Sequence, residues 1–570
     1  MKTKFWLPLV IILLIGVNWL ASEFHTRIDF TNEKRFTLSK STKSLLQSLD
    51  APVDITVLLA GDIKSEFKKL SGSTKELLEN FKNYAGNNIQ FQFEIPAEGM
   101  NDSLKAMVFD SLVSMGLRPT NQQVQVKEGE GSTQRQIFPG AILRYGHKTV
   151  AIDLLQGQVQ KNVFNSDNIL DKESLNSAEA LLEYKFANAI QKLTEKETPV
   201  VAYAYGNGEP PYGFLPVNDV FRTLGTNFIV DTVNIRTQSF ISPEYSAVVI
   251  VKPMERFTED DKFKLDQYVM NGGRLLFFID ALYAERDSLQ NGEVTAYSRD
   301  LNLNDLLFRF GARINPDLIA DKHCDAIAVE VGSVGGQSQK QLLPWPYSPL
   351  LQPGSDHAIV KNQADVLANL ANSIDIVEAE GINKTVLLAS SVNSTTLPTP
   401  TIIDINSLQT VDDVREYNKK NIPVAVLLEG KFQSMFANRA TQEQLTNFTN
   451  DSLPFLKESI EPGKVIVVSD ADIVMNQVSE SIGPLPMGTN KYTKISYANK
   501  DFFLNCTEYL ANKKNILEAK AKDYTLRLLD VKKTEEERSL WQVVNIVAPV
   551  LLVMLFGFIY QWWRKRKYVI

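Results

Sequence analysis

The chain has 570 residues, 44% hydrophobic and 22% charged, the balance of an ordinary globular protein with about three or four folding units. Lysine and arginine total 60 against 67 acidic residues, a net charge of −7, so no overall basic excess marks a nucleic-acid binder. The two cysteines, Cys324 and Cys506, exclude a disulfide scaffold and a four-cysteine zinc site, and two free thiols are expected.

Phe5 to Leu20 is apolar apart from Asn18 and follows Lys2 and Lys4. A cut after Ala21 would put bulky Trp19 at the third-last position, which signal cleavage disfavours, so residues 1–21 are expected to be an uncleaved transmembrane anchor.

Residues 22–197 predict a leading helix and then the order β-α-β-α-β-β. Ser39 is placed to cap a helix carrying Leu45, Leu46 and Leu49. Val53–Leu59 reads as a strand, and Thr74–Tyr84 as a helix through Leu77, Leu78, Phe81 and Tyr84. Ile89–Ile95 alternates as a half-buried strand, and Leu104–Met115 is helical. Val124–Val126, Ala141–Tyr145 and Thr149–Leu154 complete the set. That order suggests a thioredoxin-like layer without the two-cysteine redox motif. Leu175–Leu193 predicts a long helix leading to the charged hinge Glu195–Glu197.

Residues 198–512 read as a second α/β domain. Strands are expected at Val200–Tyr205, Phe228–Ile235, Ala247–Val251 and Leu275–Ile279, and later at Val424–Leu428 and Val465–Val468. A helix over Val217–Leu224 follows the first strand. Thr258 caps another, with Glu259, Asp260 and Asp261 in its first turn, where acidic groups suit the helix dipole. Strand, helix and strand joined by short loops imply a parallel sheet covered on both faces. The stretch from about 315 to 420 reads as an insertion with proline-rich turns such as Leu343–Tyr347.

Residues 513–541 form a charged juxtamembrane stalk by pattern, and 542–563 a transmembrane helix. Val543–Tyr560 carries no charge, and Trp541, Trp562 and Trp563 flank it as an aromatic belt would. Arg564, Lys565, Arg566 and Lys567 open the basic tail 564–570. Positive flanks stay on the cytoplasmic side, so both termini are expected there and the bulk of the chain across the membrane.

The phosphate-loop pattern G-x-x-x-x-G-K-[ST] does not occur, so ATP hydrolysis would belong to another chain. Gly206, Asn207, Gly208 and Glu209 follow the first strand of the second domain, where sheets of this class place binding crevices. They are the candidate ligand-binding residues, with a tight turn needing positive φ as the alternative. His323 and Cys324 are neighbours in Asp321-Lys-His-Cys-Asp325, but successive strand residues point to opposite faces, which argues against a catalytic pair. Asp321, His323 and Asp325 would share one face of such a strand. Asp470 and Asp472 follow an apolar strand and suit helix capping better than Mg²⁺. No catalytic residue, metal or cofactor is assigned.

Several segments together carry a family pattern. They are FTNEKRFTL at Phe30–Leu38, YAYGNGE at Tyr203–Glu209, LDQYVMNGGRLL at Leu265–Leu276 and VVSDAD at Val467–Asp472. The ending Leu526–Asp530 leading to Trp541–Asn545 completes it. In their order and spacing the chain resembles the gliding-motility-associated ABC transporter auxiliary (so-called substrate-binding) family, the GldG-type proteins, over essentially its whole length. The resemblance implies a bacterial inner-membrane subunit with a large periplasmic region and no enzymatic activity. It implies an ABC permease, a separate ATPase subunit and inner-membrane lipids as partners, and no nucleic acid. It also implies that the second domain is flavodoxin-like or class I amidotransferase-like. A periplasmic ligand-binding module for a sugar, peptide or envelope polymer is the alternative.

Overall fold

The computed structural model describes residues 13, 15, 16, 37–127, 130–155, 178–195, 197–284, 293–334, 337–404, 417–450, 453–480, 482–511 and 537–568. Two compact units emerge, Met1–Asp523 and Tyr524–Ile570. The expected anchor over residues 1–21 lies outside the described residues except Leu13, Ile15 and Gly16, which are helical. Most of the 513–541 stalk lies outside them too.

The first unit opens with α1 (Lys40–Gln47), capped as expected by Ser39, whose hydroxyl accepts from the Thr42 amide at 3.2 Å. β1 (Val53–Val57), α2 (Ser65–Ala85), β2 (Ile89–Phe93) and α3 (Asp102–Ser114) come next. A hairpin, β3 (Thr120–Lys127) and β4 (Glu130–Ile137), pairs only with itself, so Val124–Val126 is not a strand of the main N-terminal layer. β5 (Gly140–Tyr145) and β6 (Lys148–Asp153) complete a four-stranded sheet of order β2-β1-β5-β6. β1 and β2 run parallel, and β5 is antiparallel to both of its neighbours. α4 (Leu182–Thr194) is buried on most of its circumference, including Glu183, Lys185 and Gln191, because it is packed between this layer and the region that begins at Val200.

The second region is built on β7 (Val200–Tyr205), α5 (Asn218–Asn227), β8 (Ile229–Asn234), β9 (Ala247–Val251), α6 (Glu259–Met270) and β10 (Arg274–Phe278). Every residue of β9, AVVIV, is buried, as a strand covered on both faces requires. At the start of α6 the Thr258 hydroxyl accepts from the Asp261 amide while Asp261 accepts from the Thr258 amide, a reciprocal cap. β11 (Leu282–Tyr283), β12 (Glu293–Ser298), α7 (Asn304–Phe310), β13 (Ala312–Ile314), β14 (Asp317–Asp321), β15 (Cys324–Val334) and β16 (Gln337–Pro353) lead into the insertion. β17 (Val366–Leu367), β18 (Ile374–Ile376), β19 (Ile382–Ala389), β20 (Ser394–Pro398) and β21 (Thr401–Asp404) continue it. β22 (Pro423–Gly430), α8 (Gln442–Asn450), β23 (Gly463–Val468) and α9 (Asn499–Ala511) close the unit.

The central sheet has ten strands, with the path β15-β16-β19-β22-β23-β10-β9-β7-β8 and β17 attached to β16. Five strands, β8-β7-β9-β10-β23, are mutually parallel, in the order 2-1-3-4-5 by chain position. Strand order reverses between β7 and β9, and in open α/β sheets the crevice for ligands lies outside the carboxyl ends at such a point.

Three sequence expectations need correction. Val424–Leu428 is a strand, but antiparallel to β23, so the parallel half ends there. The 315–420 stretch is not merely a lobe on the sheet, because β16 and β19 extend the sheet beyond β22. Leu343–Tyr347 is not a turn but the middle of the long strand β16. There Trp345 and Tyr347 alternate with Pro344 and Pro346, and both aromatics are fully buried. Pro344 stands opposite Ala326 of β15, and Pro346 falls in the break of that ladder between the Ala326–Pro344 and Cys324–Pro349 pairs, where a residue without an N–H is tolerated.

The second unit contains α10 (Arg538–Tyr568), which runs through Pro549 and on into the basic run. Its Arg538–Arg566 stretch has mean hydropathy 2.4, and among the described residues it is the one helix long and apolar enough to cross a membrane. At roughly 1.5 Å per residue it exceeds a hydrocarbon core of about 30 Å.

Candidate functional site

The loops after β7, β9, β10 and β23 all emerge at the carboxyl edge of the parallel strands. Two groups of buried polar residues form there.

The first is the Gly206–Glu209 loop after β7. Gly206 has φ +120° and Gly208 φ +81°. A Cβ on Gly206 would stand 2.7 Å from Asn234 Oδ1, and one on Gly208 3.0 Å from Met254 Cβ. The glycines therefore serve the chain's own close approach and the positive φ, as the turn reading expected. The Asn207 carbonyl accepts from the amides of Met254 (3.0 Å) and Glu255 (2.8 Å), which locks this loop to the one after β9. Its side-chain Nδ2 donates to Asp261 Oδ2 at 3.1 Å, and its backbone amide donates to Glu209 Oε2 at 2.7 Å. Asn207 and Glu209 are both buried. Among the described residues, Asn207 Oδ1 and Glu209 Oε1 have no hydrogen-bond donor. Burial pushes the Glu209 carboxyl up to about 7 against the pull of two backbone amides and Arg236.

The second group centres on Lys252, the residue after the apolar strand β9, held at φ +49°. Its ammonium meets Asp280 Oδ2 at 3.1 Å and Asp472 Oδ1 at 2.8 Å. Asp280 Oδ1 accepts from the Ala471 amide at 2.6 Å. Asp470 caps the short turn 471–473, accepting from the Asp472 amide at 2.8 Å on Oδ1 and from the Asn369 amide at 2.6 Å on Oδ2. Burial first, then Asp472 and Asp280, raise the Asp470 carboxyl well above the usual range. Cations and amides already occupy these oxygens. Among the described residues no group of three or more His, Cys, Asp or Glu is arranged to hold a metal ion. Sequence reading singled out Asp470 and Asp472 but missed Lys252. Its signal was a lysine placed directly after a wholly apolar strand, where a cation stays only if paired.

The Asp321–Asp325 stretch is not one strand. β14 ends at Asp321 and β15 begins at Cys324, with Lys322 and His323 in the turn between. The acidic and imidazole groups therefore part company. Asp321 accepts from Ser391, His323 Nε2 pairs with Asp365 at 2.7 Å, and Asp325 accepts from Asn490 at 2.6 Å. Neither Cys324 nor the buried Cys506 is in a disulfide. Burial, then Asp321 and Asp325, push the Cys324 thiol up to about 12, the reverse of what a nucleophile needs.

Comparison with known proteins places these features in context. A family described as a domain of unknown function matches residues 32–144. An uncharacterized protein of Borreliella burgdorferi is 21% identical over 98% of this chain and 97% of its own length. Among solved structures, the mmIFT52 N-terminal domain aligns with 55% of this chain and 97% of its own at 12% identity and a TM-score of 0.31. An exo-β-1,4-mannosidase from an Opitutaceae bacterium aligns with 71% of this chain and 46% of its own at 11% identity and a TM-score of 0.19. Scores that low carry nothing about fold or function. The second region, with both polar groups in it, matches over residues 198–506 the family described as an ABC-type uncharacterized transport system, and the chain belongs to that family.

Proposed function

We propose that this protein is a non-catalytic, membrane-anchored auxiliary subunit of an ABC transporter complex that serves bacterial gliding motility, with its large region in the periplasm. Membership of an ABC transport family supports the transporter role. The observation that carries the anchoring is α10, apolar over Arg538–Arg566 and exposed in its own unit, with Trp541, Trp562 and Trp563 near its ends and a basic run at its close. The phosphate-loop pattern does not occur in the sequence, which supports an ATPase carried on a separate chain. The order β2-β1-β5-β6 with β5 antiparallel supports a thioredoxin-like N-terminal layer, and the 2-1-3-4-5 order supports a flavodoxin-like second domain. The test is purification of the tagged full chain in mild detergent, with a permease and an ATPase expected to accompany it. Their absence under conditions that keep other membrane complexes intact overturns the reading.

One observation favours a second reading, a periplasmic ligand-binding module. Asn207 Oδ1 and Glu209 Oε1 are buried acceptors with no donor among the described residues. A sugar hydroxyl or a peptide amine would supply one. A ligand that raises the melting temperature of the wild type but not of Glu209→Ala supports this reading. A panel of sugars and peptides with no such effect removes its basis.

A further inference from the structure

The two α/β regions read as separate domains in the sequence, with a hinge at Glu195–Glu197. Their packing is of another kind. One hydrophobic cluster contains Leu45, Ile55 and Phe81 of the N-terminal region together with Val201, Leu276 and Phe503 of the second. α4 runs through that cluster with Phe186 and Ile190 fully buried.

A buried polar junction sits on the same helix. Glu508 of α9 is 2% exposed. Its carboxylate accepts from the Tyr184 hydroxyl at 2.8 Å, from Asn188 Nδ2 at 3.1 Å, and from the Lys192 ammonium at 2.7 Å. Tyr184, Asn188 and Lys192 are each four residues apart, so they form one stripe along α4, and a single carboxylate gathers all three. One residue before this stripe, Glu183 Oε1 accepts from the Ser39 amide at 2.7 Å, the amide of the residue that caps α1. Thus α1, the first described helix after the N-terminal apolar run, and α9, the last before the sequence continues toward α10, are both fastened to adjacent residues of α4. α9 is fastened to the second region as well. The Leu510 carbonyl accepts from Arg274, and Asn505 donates to the Ile359 carbonyl.

We propose that α4 is a keystone and Glu508 its latch, so that α1, α4, α9 and the parallel strands move as one body and displacement at α1 or α9 is passed to the other. A two-lobed capture protein closes around its ligand by a hinge between lobes. Here the equivalent motion would tear one shared core and pull Tyr184, Asn188 and Lys192 away from the buried Glu508 carboxylate, and separating a buried charge from its partners is costly. The inference goes beyond the transporter reading, because it concerns how the region moves and holds with or without a permease.

The test is native-state hydrogen exchange on the purified full chain in detergent. In the wild type, α1, α4 and α9 should open together, with one protection value and one denaturant dependence. Glu508→Gln keeps the shape and removes the charge. It should raise exchange in all three helices by roughly tenfold or more, since hydrogen bonds to a charged group are the strong ones. Amides of β9, β10 and β23 should stay as protected as before. Lys192→Met removes one donor and should give the same three-helix pattern with a smaller rise, which keeps the test open if Glu508→Gln does not accumulate. A rise confined to α9, independent opening of α1 and α9 in the wild type, or no rise in either variant overturns the proposal. None of these outcomes depends on recovering a permease, so failure here is distinct from failure of the transporter reading.

Discussion

Two groups of polar side chains sit at the same edge of the same sheet, and they differ in how their oxygens are used. Around Lys252, Asp280 and Asp470 have donors on both oxygens, and Asp472 shares the Lys252 ammonium. In the loop after β7, Asn207 and Glu209 each keep one buried acceptor with no donor among the described residues. Burial of an acid is therefore not itself the mark of a site. The balance of donors to acceptors separates a brace, which ties strand ends together, from a loop still able to accept a proton or a donor group.

One of the two largest expected effects comes from breaking the brace. Lys252→Met removes the cation and leaves Asp280 and Asp472 facing each other with little water. Lys252 is buried while its two partners are partly exposed, so the cut should cost about 1–3 kcal/mol, between a surface and a buried pair. Denaturant unfolding of the full chain should show it as a lower midpoint at unchanged slope. A loss below about 1 kcal/mol would place the cluster among ordinary surface pairs and erase the contrast.

Of similar size is the pH response of Glu209. Its carboxyl titrates near 7 in the folded chain and near the ordinary 4.5 when unfolded, so the folded state binds the extra proton between those values. Stability is then greatest at the acid end, falls as pH rises from about 4.5 to about 7, and is flat above, a change on the order of 3 kcal/mol. Glu209→Gln should abolish that slope and exceed the wild type in stability at pH 8. A wild-type curve without this descent, or a Gln variant that keeps it, shows that the carboxylate has found a donor.

Smaller again is the turn itself. Gly208→Ala meets both φ +81° and Met254 Cβ at 3.0 Å, whereas Gly213 has φ +90° with nothing within 4 Å of the added atom. The strain of a left-handed alanine alone is about 1–2 kcal/mol, so Gly213→Ala should cost about that and Gly208→Ala measurably more. Equal losses would mean that the loop has room beside Met254, and room there favours a ligand.

How much of this could be read beforehand depends on the range of the cause. β9 was legible because five buried apolar residues in a row have few other fates. The Ser39 and Thr258 caps were legible because capping acts over three residues. Leu343–Tyr347 was misread because proline in a strand is tolerated at a break in the ladder, here the one between β15 and β16, which is a property of the sheet and not of the segment. The hinge at Glu195–Glu197 was charged as hinges are, yet Glu508 lies more than three hundred residues away from the helix it locks. The Gly206–Glu209 loop stood out in the sequence, but its two glycines alone could not say whether a ligand or the chain's own Asn234 and Met254 filled the space they leave.

The smallest effect tests the neighbouring thiol and imidazole that the sequence already argues against as a catalytic pair. His323 and Cys324 are adjacent, but His323 Nε2 is engaged with Asp365 and the Cys324 thiol is pushed up to about 12 by burial and by Asp321 and Asp325. At pH 8 a thiol of that kind is thiolate in only about one molecule in ten thousand, so iodoacetamide should label Cys324 far more slowly than a free cysteine. Cys324→Ala should change stability by roughly 1 kcal/mol or less. Rapid labelling at neutral pH, abolished by Asp365→Asn, would show that the imidazole reaches the sulfur after all. The turn between β14 and β15, rather than the loop after β7, would then be the place to look for a reaction.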